Sequence, residues 1–355
     1  MTNLHLARQR LHCQQIAAPS LTKPEDVVNW LGAVQAQDYL GSLWAIGLRM
    51  KQSTEGSIEK AVAARTIVRT WPMRGTLHFV TPEDVRWMLT LLTPRVIARS
   101  AGLYRQAGLD KATFAKSRKL FIKALEGGQQ LNRNDMYEVL EQGKISTAEQ
   151  RGLHIIGHLA QEGLLCLATR KGKQQTFVLL DEWIPSSKIL ARDEALGELT
   201  LRYFISHGPA TLNDYAWWSG LAIVDAKAGL DIVKGQLDHE VVEGSTYWMG
   251  QNRPVGLTSS ATYLLPAYDE YTVAYKDRSA VLNPIHAELA RNGIFNPVMI
   301  ADGNVVGTWK RTINKENIVI EAKHFDAPAS SRPYQRAVES YARFMGMPVE
   351  LVLSP

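Results

Sequence analysis

A block of three short amphipathic helices followed by a two-stranded hairpin recurs along this chain, and that recurrence limits the fold more than any single motif does. The block is clearest in the middle. Ser117 to Glu126 has helical apolar spacing and stops at Gly127-Gly128. Asn132 then stands where an N-cap belongs, and Asp135 to Gln142 follows as a short second helix. Ser146-Thr147-Ala148-Glu149 has the composition of a cap and first turn. It predicts a third helix through Leu153, Ile156, Leu159 and Ala160 that ends at Gly163. Two β-like runs, Leu164 to Thr169 and Thr176 to Leu180, are joined through the basic linker Arg170-Lys171-Gly172-Lys173-Gln174-Gln175. Three helices and a hairpin with a basic tip make a winged helix-turn-helix.

A further copy begins near Ala195. Leu196, Leu199, Tyr203 and Phe204 form a helical stripe, Thr211 caps Leu212 to Trp218, and Ile223 to Leu237 supplies the third helix. Glu240 to Met249 is the hairpin, turning at Gly244. The N-terminal copy is less regular: Pro24 to Gln37, Ser42 to Met50 and Ser57 to Ala64 read as helices. Its hairpin pairs Ile67 to Trp71 with Thr76 to Val80 across Pro72-Met73-Arg74-Gly75. The remainder changes character. Ala261 to Leu265, Val298 to Ala301, Val305 to Trp309 and Ile318 to Glu321 are strand-like, Asp302-Gly303-Asn304 is a hairpin turn, and Tyr334 to Phe344 is a closing helix. The expectation is an α+β chain in four segments: winged helices at 1–115, 116–190 and 191–255, then a β-rich segment with a terminal helix at 256–355.

Charge and cysteine content narrow the function classes. Forty Lys+Arg against 35 Asp+Glu leave a formal charge of +5, compatible with a polyanionic partner but too small to require one. The distribution is more telling: Arg65, Arg69, Arg74, Arg95, Arg99 and Arg105 crowd one stretch, Arg170, Lys171 and Lys173 a second, Lys310 and Arg311 a third. Cys13 and Cys166 cannot build a disulfide framework or a zinc finger, which fits a reducing cytoplasm. Met1 to Leu11 has no apolar core of a signal peptide, and no run approaches the roughly 18 apolar residues of a membrane span. No P-loop, G-x-G-x-x-G fingerprint or Ser-His-Asp order is present, so no nucleotide cofactor is expected.

Several clusters could carry chemistry, each with a plainer structural reading beside it. Gln35-Ala36-Gln37 closes the helix read from Pro24. Residues two apart on a helix diverge by about 200°, so both amides could line one pocket only where the helix ends. Two amides can orient a water but cannot deprotonate it strongly; a polar helix end in solvent is the alternative. Arg74 at the first hairpin tip can bind phosphate, and His78 could pair with a base or with a Gln; a surface Arg beside a core His is the plain reading. Trp309-Lys310-Arg311 joins an aromatic plate to two cations, which suits a DNA backbone grip, or else a snorkelling edge. His154 and His158 have i, i+4 spacing, but Ile155 replaces the Glu of a zinc-protease helix, so no metal is expected. In Leu265-Pro266-Ala267-Tyr268-Asp269-Glu270-Tyr271 two acids follow a strand, where pairing with Arg278 or capping is the default role.

In order along the chain, Gln35-Ala36-Gln37, Arg74-Gly75-Thr76-Leu77-His78, Leu265-Pro266-Ala267-Tyr268-Asp269-Glu270-Tyr271 and Val306-Gly307-Thr308-Trp309-Lys310-Arg311 resemble the winged-helix DNA glycosylases that unhook interstrand crosslinks, the AlkZ-like and YcaQ-like proteins. The resemblance spans residues from about 5 to 345. It implies tandem winged helices in a C-shape around a DNA channel, and a catalytic Gln-x-Gln in the AlkZ-like branch against Gln-x-Asp in the other. Gln37 at the third place puts this chain on the AlkZ-like side. The resemblance further implies hydrolysis of the N-glycosidic bond of N7- or N3-alkylated purines in double-stranded DNA; a cytoplasmic, nucleoid-associated monomer without cofactor is expected. Gln35 and Gln37 would hold the water, and Arg69, Arg74, His78, Arg170, Lys171, Lys173, Trp309, Lys310 and Arg311 would bind DNA. Tyr268, Asp269 and Tyr271 would support the site, and the Asp302-Gly303-Asn304 hairpin would probe the minor groove. The alternative function is a non-enzymatic winged-helix transcription regulator.

Overall fold

The structure is a computed structural model that describes residues 2–251, 261–286, 296–325 and 334–354. The expected segment boundary at 255/256 lies outside these residues. The chain divides into two compact units, one of residues 1–58, 196–218 and 222–355, the other of residues 59–195 and 219–221.

The second unit contains the middle block. Helices Lys111–Leu125, Arg133–Gln142 and Arg151–Gln161 precede strands Leu165–Leu167 and Thr176–Leu179. Asn132 caps the second helix reciprocally: its side chain accepts from the N–H groups of Asn134 and Asp135, while Asp135 accepts from the Asn132 N–H. Two departures have local causes. The first helix begins earlier than its apolar stripe suggested, because Asp110 takes the Thr113 N–H and starts it at Lys111. The third begins later: Glu149 and Gln150 both adopt positive φ, so Ser146-Thr147-Ala148-Glu149 is a turn ahead of the helix.

In the sheet of this unit, Thr76–Val80 pairs with Val68–Met73, which pairs with Leu165–Leu167, then Thr176–Leu179, then Leu131–Asn132, all antiparallel. The basic-tipped hairpin of the middle block thus continues the hairpin of the preceding one. Phe114, Phe121, Leu140, Ile156, Leu159 and Phe177 form the core between helices and sheet. A 22-residue helix, Val85–Gln106, joins the two blocks, where the sequence predicts no helix. Pro94 lies inside it, and a proline at that place reads from sequence as a stop.

The other unit pairs an N-terminal helix, Asn3–Cys13, with a five-stranded sheet in the order Val349–Ser354, Ile318–His324, Asn304–Ile313, Val298–Ala301, Thr262–Leu265. Asp302 and Gly303, both at positive φ, turn the chain between Ala301 and Asn304, as Asp-Gly predicts. The last strand, Val349–Ser354, is additional to the strands expected from the sequence and runs parallel to Ile318–His324. Helix Gln335–Met345 covers the sheet, with Tyr341 against Trp309 and Phe344 against Trp44. Leu6, Leu11, Tyr271, Val281 and Ile300 fill the space between the N-terminal helix and the sheet. Helices Leu212–Ser219 and Ile223–Val233 are followed by the hairpin Leu237–Val242 with Ser245–Gly250. Arg192–His207 precedes them.

One correction moves a site motif. The helix read as Pro24 to Gln37 stops at Leu31, because Gly32 takes φ 77° and breaks the ladder. Val34–Gln35 is a short strand, so Gln35 sits on extended main chain and Gln37 on the bend after it.

Candidate functional site

Gln35 is buried and Gln37 exposed. Against Gln35 lies a carboxylate, that of Glu270, for which the sequence alone predicts only pairing or capping. Glu270 is wholly buried; its Oε1 accepts the Gln35 backbone N–H at 2.8 Å and its Oε2 the Trp218 indole N–H at 2.9 Å. His207, also buried, brings Nε2 to 3.6 Å from the same Oε2. Burial pushes the His207 pKa down, against the pull of Glu270. Its ring stacks on Tyr203 at 4.9 Å, and its Nδ1 lies 2.8 Å from Ser206 Oγ.

The neighbouring acid is equally occupied. Asp269 receives two bonds from Arg49, at 2.7 and 2.9 Å, and accepts the Tyr271 N–H at 2.9 Å. Arg49 in turn donates to Ala45 O and Gln14 Oε1. Tyr271, fully buried, donates its hydroxyl proton to Gly303 O at 2.7 Å. Asp269 and Tyr271 therefore brace the main chain near Glu270 and offer nothing to solvent, while Tyr268 is half-buried at positive φ. The expected partner of the acids, Arg278, donates instead to Thr272 O.

At the tip of the first hairpin, Arg74 Nη2 lies 3.2 Å from His78 Nε2, and His78 Nδ1 lies 2.9 Å from Thr76 O. Since guanidinium only donates and a carbonyl only accepts, this geometry fits a neutral ring with its proton on Nδ1. His78 is fully buried, so it orients Arg74 and cannot itself meet a base. A side chain added at Gly220 would come within 3.2 Å of Arg74 Cγ, so the turn packs tightly there.

Other expected DNA contacts are redistributed. Trp309 is 2% exposed and donates its indole N–H to Leu265 O, so it is a core residue and not a plate for DNA. Inward-facing positions alternate along its strand, and Trp309 falls on the buried side. Lys310, on the other face, is 81% exposed beside Glu321. Arg311 donates to the Tyr341 hydroxyl and lies 3.7 Å from Asp38. Arg69 is buried and held by Gln175, which removes it from the surface. Arg170 pairs with Glu59, Lys171 donates to Gln130 O and stays exposed, as does Lys173. The Asp302-Gly303 turn is not a free probe: Arg8 grips Asp302 with two bonds of 2.7 Å, and a Cβ at Gly303 would meet Ala7 at 2.8 Å. The next turn of this sheet, 314–316, is exposed.

His158 stacks on Phe114 at 3.8 Å and lies 3.3 Å from Glu162, which makes it a core histidine. No group of residues able to hold a metal occurs among the described residues, and no helix among them is long and apolar enough to cross a membrane.

A family model, DNA glycosylase AlkZ-like, matches residues 28–344, a range that includes Gln35, Gln37, Arg74, His78, Glu270 and Lys310. The chain belongs to the AlkZ-like DNA glycosylase family. It is 25% identical over 334 residues to the interstrand DNA cross-link repair glycosylase of Streptomyces sahachiroi, covering 87% of this chain and 88% of that protein. The solved structure of the Streptomyces sahachiroi DNA glycosylase AlkZ matches with a TM-score of 0.82 at 22% identity, over 99% of this chain and 100% of that one. This AlkZ-like chain thus has the mixed α+β fold of that structure.

Proposed function

We propose that this AlkZ-like chain is a monofunctional DNA glycosylase. As a monomer on duplex DNA, it hydrolyses the N-glycosidic bond of N7- or N3-alkylated purines, crosslinked ones included. The observation that carries the reading is the main chain at Gln35: extended there and bent at Gln37, it frees the two amides from the divergence a helix would impose. Gln35 is buried and Gln37 exposed, and the two amides together would hold one water.

Two neutral amides suffice because the substrate supplies the driving force. An alkylated purine is cationic, so its bond to C1′ breaks with the electron pair leaving on the base, and no proton need be delivered. Water adds its oxygen to C1′ and releases a proton to solvent. The amide carbonyl dipoles favour the positive charge that develops on the sugar. A bulky or crosslinked base cannot swing into a tight pocket, so the reaction belongs in an open cleft. Arg74, presented by His78, and the exposed Lys171, Lys173 and Lys310 would hold phosphates. The three tandem winged helices and the β-rich segment from 256 are part of the same proposal.

The test is a duplex carrying N7-methylguanine, incubated with the protein and heated in alkali to cut abasic sites. Cleavage lost in Gln35→Ala and Gln37→Ala supports the reading. Full activity in both variants removes the mechanism, and no activity on any alkylated duplex favours the transcription regulator.

A further inference from the structure

We propose that Glu270 is a positioning residue for Gln35, fixing the main chain that carries the first amide of the water-holding pair through one carboxylate oxygen while Trp218 fixes the other. The inference rests on the glycosylase reading above, since Gln35 has this task only if the Gln-x-Gln motif is catalytic.

A carboxylate removed entirely from water is expensive unless its charge is met by several donors, so a fold does not keep one there without compensation. Glu270 is buried completely; one of its oxygens accepts the Gln35 peptide N–H at 2.8 Å and the other the Trp218 indole N–H at 2.9 Å. One joins a residue 235 positions away, the other a residue 52 away, so the side chain ties three distant parts of the chain at one point. The helical turn that carries it is held rigidly. Asp269 caps that turn at Tyr271 and is itself clamped by Arg49, and Tyr271 reaches Gly303 O. Trp218 is fully buried among Tyr203, Tyr215 and His207, which leaves its indole little freedom.

Val34–Gln35 is only two residues long and lies just after the helix break at Gly32, so a charged anchor adds to what strand pairing over so short a stretch can fix. A charge-assisted hydrogen bond to its N–H is stronger and shorter than a neutral one, and it holds position as well as energy. A water that must lie within a few tenths of an ångström of an attack line tolerates little drift in the group that holds it. Glu270 touches no substrate in this scheme; it acts through Gln35.

The experiment is single-turnover base release from the N7-methylguanine duplex at saturating protein, with DNA affinity measured separately. Glu270→Gln keeps the shape, but one end of its amide now opposes a donor, either the Gln35 N–H or the Trp218 N–H. The expected result is a rate lowered about tenfold or more with DNA affinity within about twofold of the parent. Adding Trp218→Phe removes the competing donor and lets the amide oxygen face Gln35, so the double variant recovers rate over Glu270→Gln. A purely structural role predicts the opposite, because loss of the Trp218 indole adds damage.

A folded Glu270→Gln protein with the parental rate overturns the inference, and so does a double variant slower than Glu270→Gln. If Glu270→Gln fails to fold, Glu270→Asp decides: it keeps the charge but is one methylene too short to reach both donors. Lowered rate at unchanged affinity then supports the inference, and the parental rate overturns it. Gln35→Ala measured alongside separates the two failures. Its parental activity sinks the catalytic reading itself, whereas inactivity with an unimpaired Glu270→Gln sinks only the role of Glu270.

Discussion

Arg49 and Asp269 meet through two hydrogen bonds of 2.7 and 2.9 Å with both side chains wholly shielded from water. Removing one member strands the other charge in the interior, which costs roughly 3–5 kcal/mol, whereas replacing both with apolar groups of similar volume is far milder. Asp269→Leu or Arg49→Met alone should therefore lower the denaturation midpoint sharply, and the double variant should recover much of the loss. Additive losses would show that the pair is not coupled. Because Glu270 follows Asp269 directly, the single variants should also slow base release beyond what their unfolded fraction explains.

Arg74 is oriented by a histidine that faces it across the hairpin turn. If it grips a phosphate, Arg74→Ala should weaken binding of all duplex sequences alike and reduce the slope of log K against log salt by about 1. His78→Phe should produce a smaller loss in the same direction, since the cation remains but its aim is relaxed. Binding that is indifferent to Arg74 at every salt concentration would remove this hairpin from the DNA interface.

The helix Val85–Gln106 exposes Arg95 and Arg99 one turn apart. Like charges at that spacing cost a helix a few tenths of a kcal/mol, so their presence favours an anion outside. In the same unit a Cβ at Gly75, beside Arg74, would touch Val96 of this helix, which places the two basic features side by side. The double variant Arg95→Ala, Arg99→Ala is expected to fold as well as the parent and to lower the salt slope of duplex binding by close to 2. An unchanged slope would mean that these arginines face solvent only.

How far the sequence reveals this molecule depends on the range of the interaction. The Asn132 cap and the Asp302-Gly303 turn are local chemistry, and both stand where the sequence puts them. Gly32 is local too, and was a legible stop signal that the apolar residues after it disguised. At Trp309 composition shows only a tryptophan beside two cations, whereas strand alternation sends it inward. Glu270 was out of reach for a different reason. Its partners are residues 35, 207 and 218, and no spacing within the Leu265–Tyr271 segment encodes them. The segment is recognisable as a motif, but only folding shows which of its acids faces the glutamine.

Burial of Cys166 pushes its thiol far above the usual range, so the nucleophilic thiolate is almost absent in the native protein. A thiol reagent at pH 8 should label Cys13, which is partly accessible, well before Cys166. Both should react at similar rates in denaturant. Equal native rates would imply that the sheet holding Cys166 opens readily.

Acid should weaken the fold through its buried histidines. Burial pushes the pKa of His158 below its ordinary 6.5, outweighing Glu162, and burial does the same to His207 against Glu270. The folded protein therefore binds these protons less readily than the unfolded chain does. Their stabilising effect is complete above about pH 6.5 and is lost as the pH falls from there through the lower folded values; below those both states are protonated and the loss stops. His158→Phe keeps the ring against Phe114 but cannot titrate. Its stability relative to the parent should rise as pH is lowered from 7.5 to 5, read from paired thermal or urea melts. A difference that stays flat over that interval would mean that His158 takes up its proton in the folded state as easily as in the unfolded one.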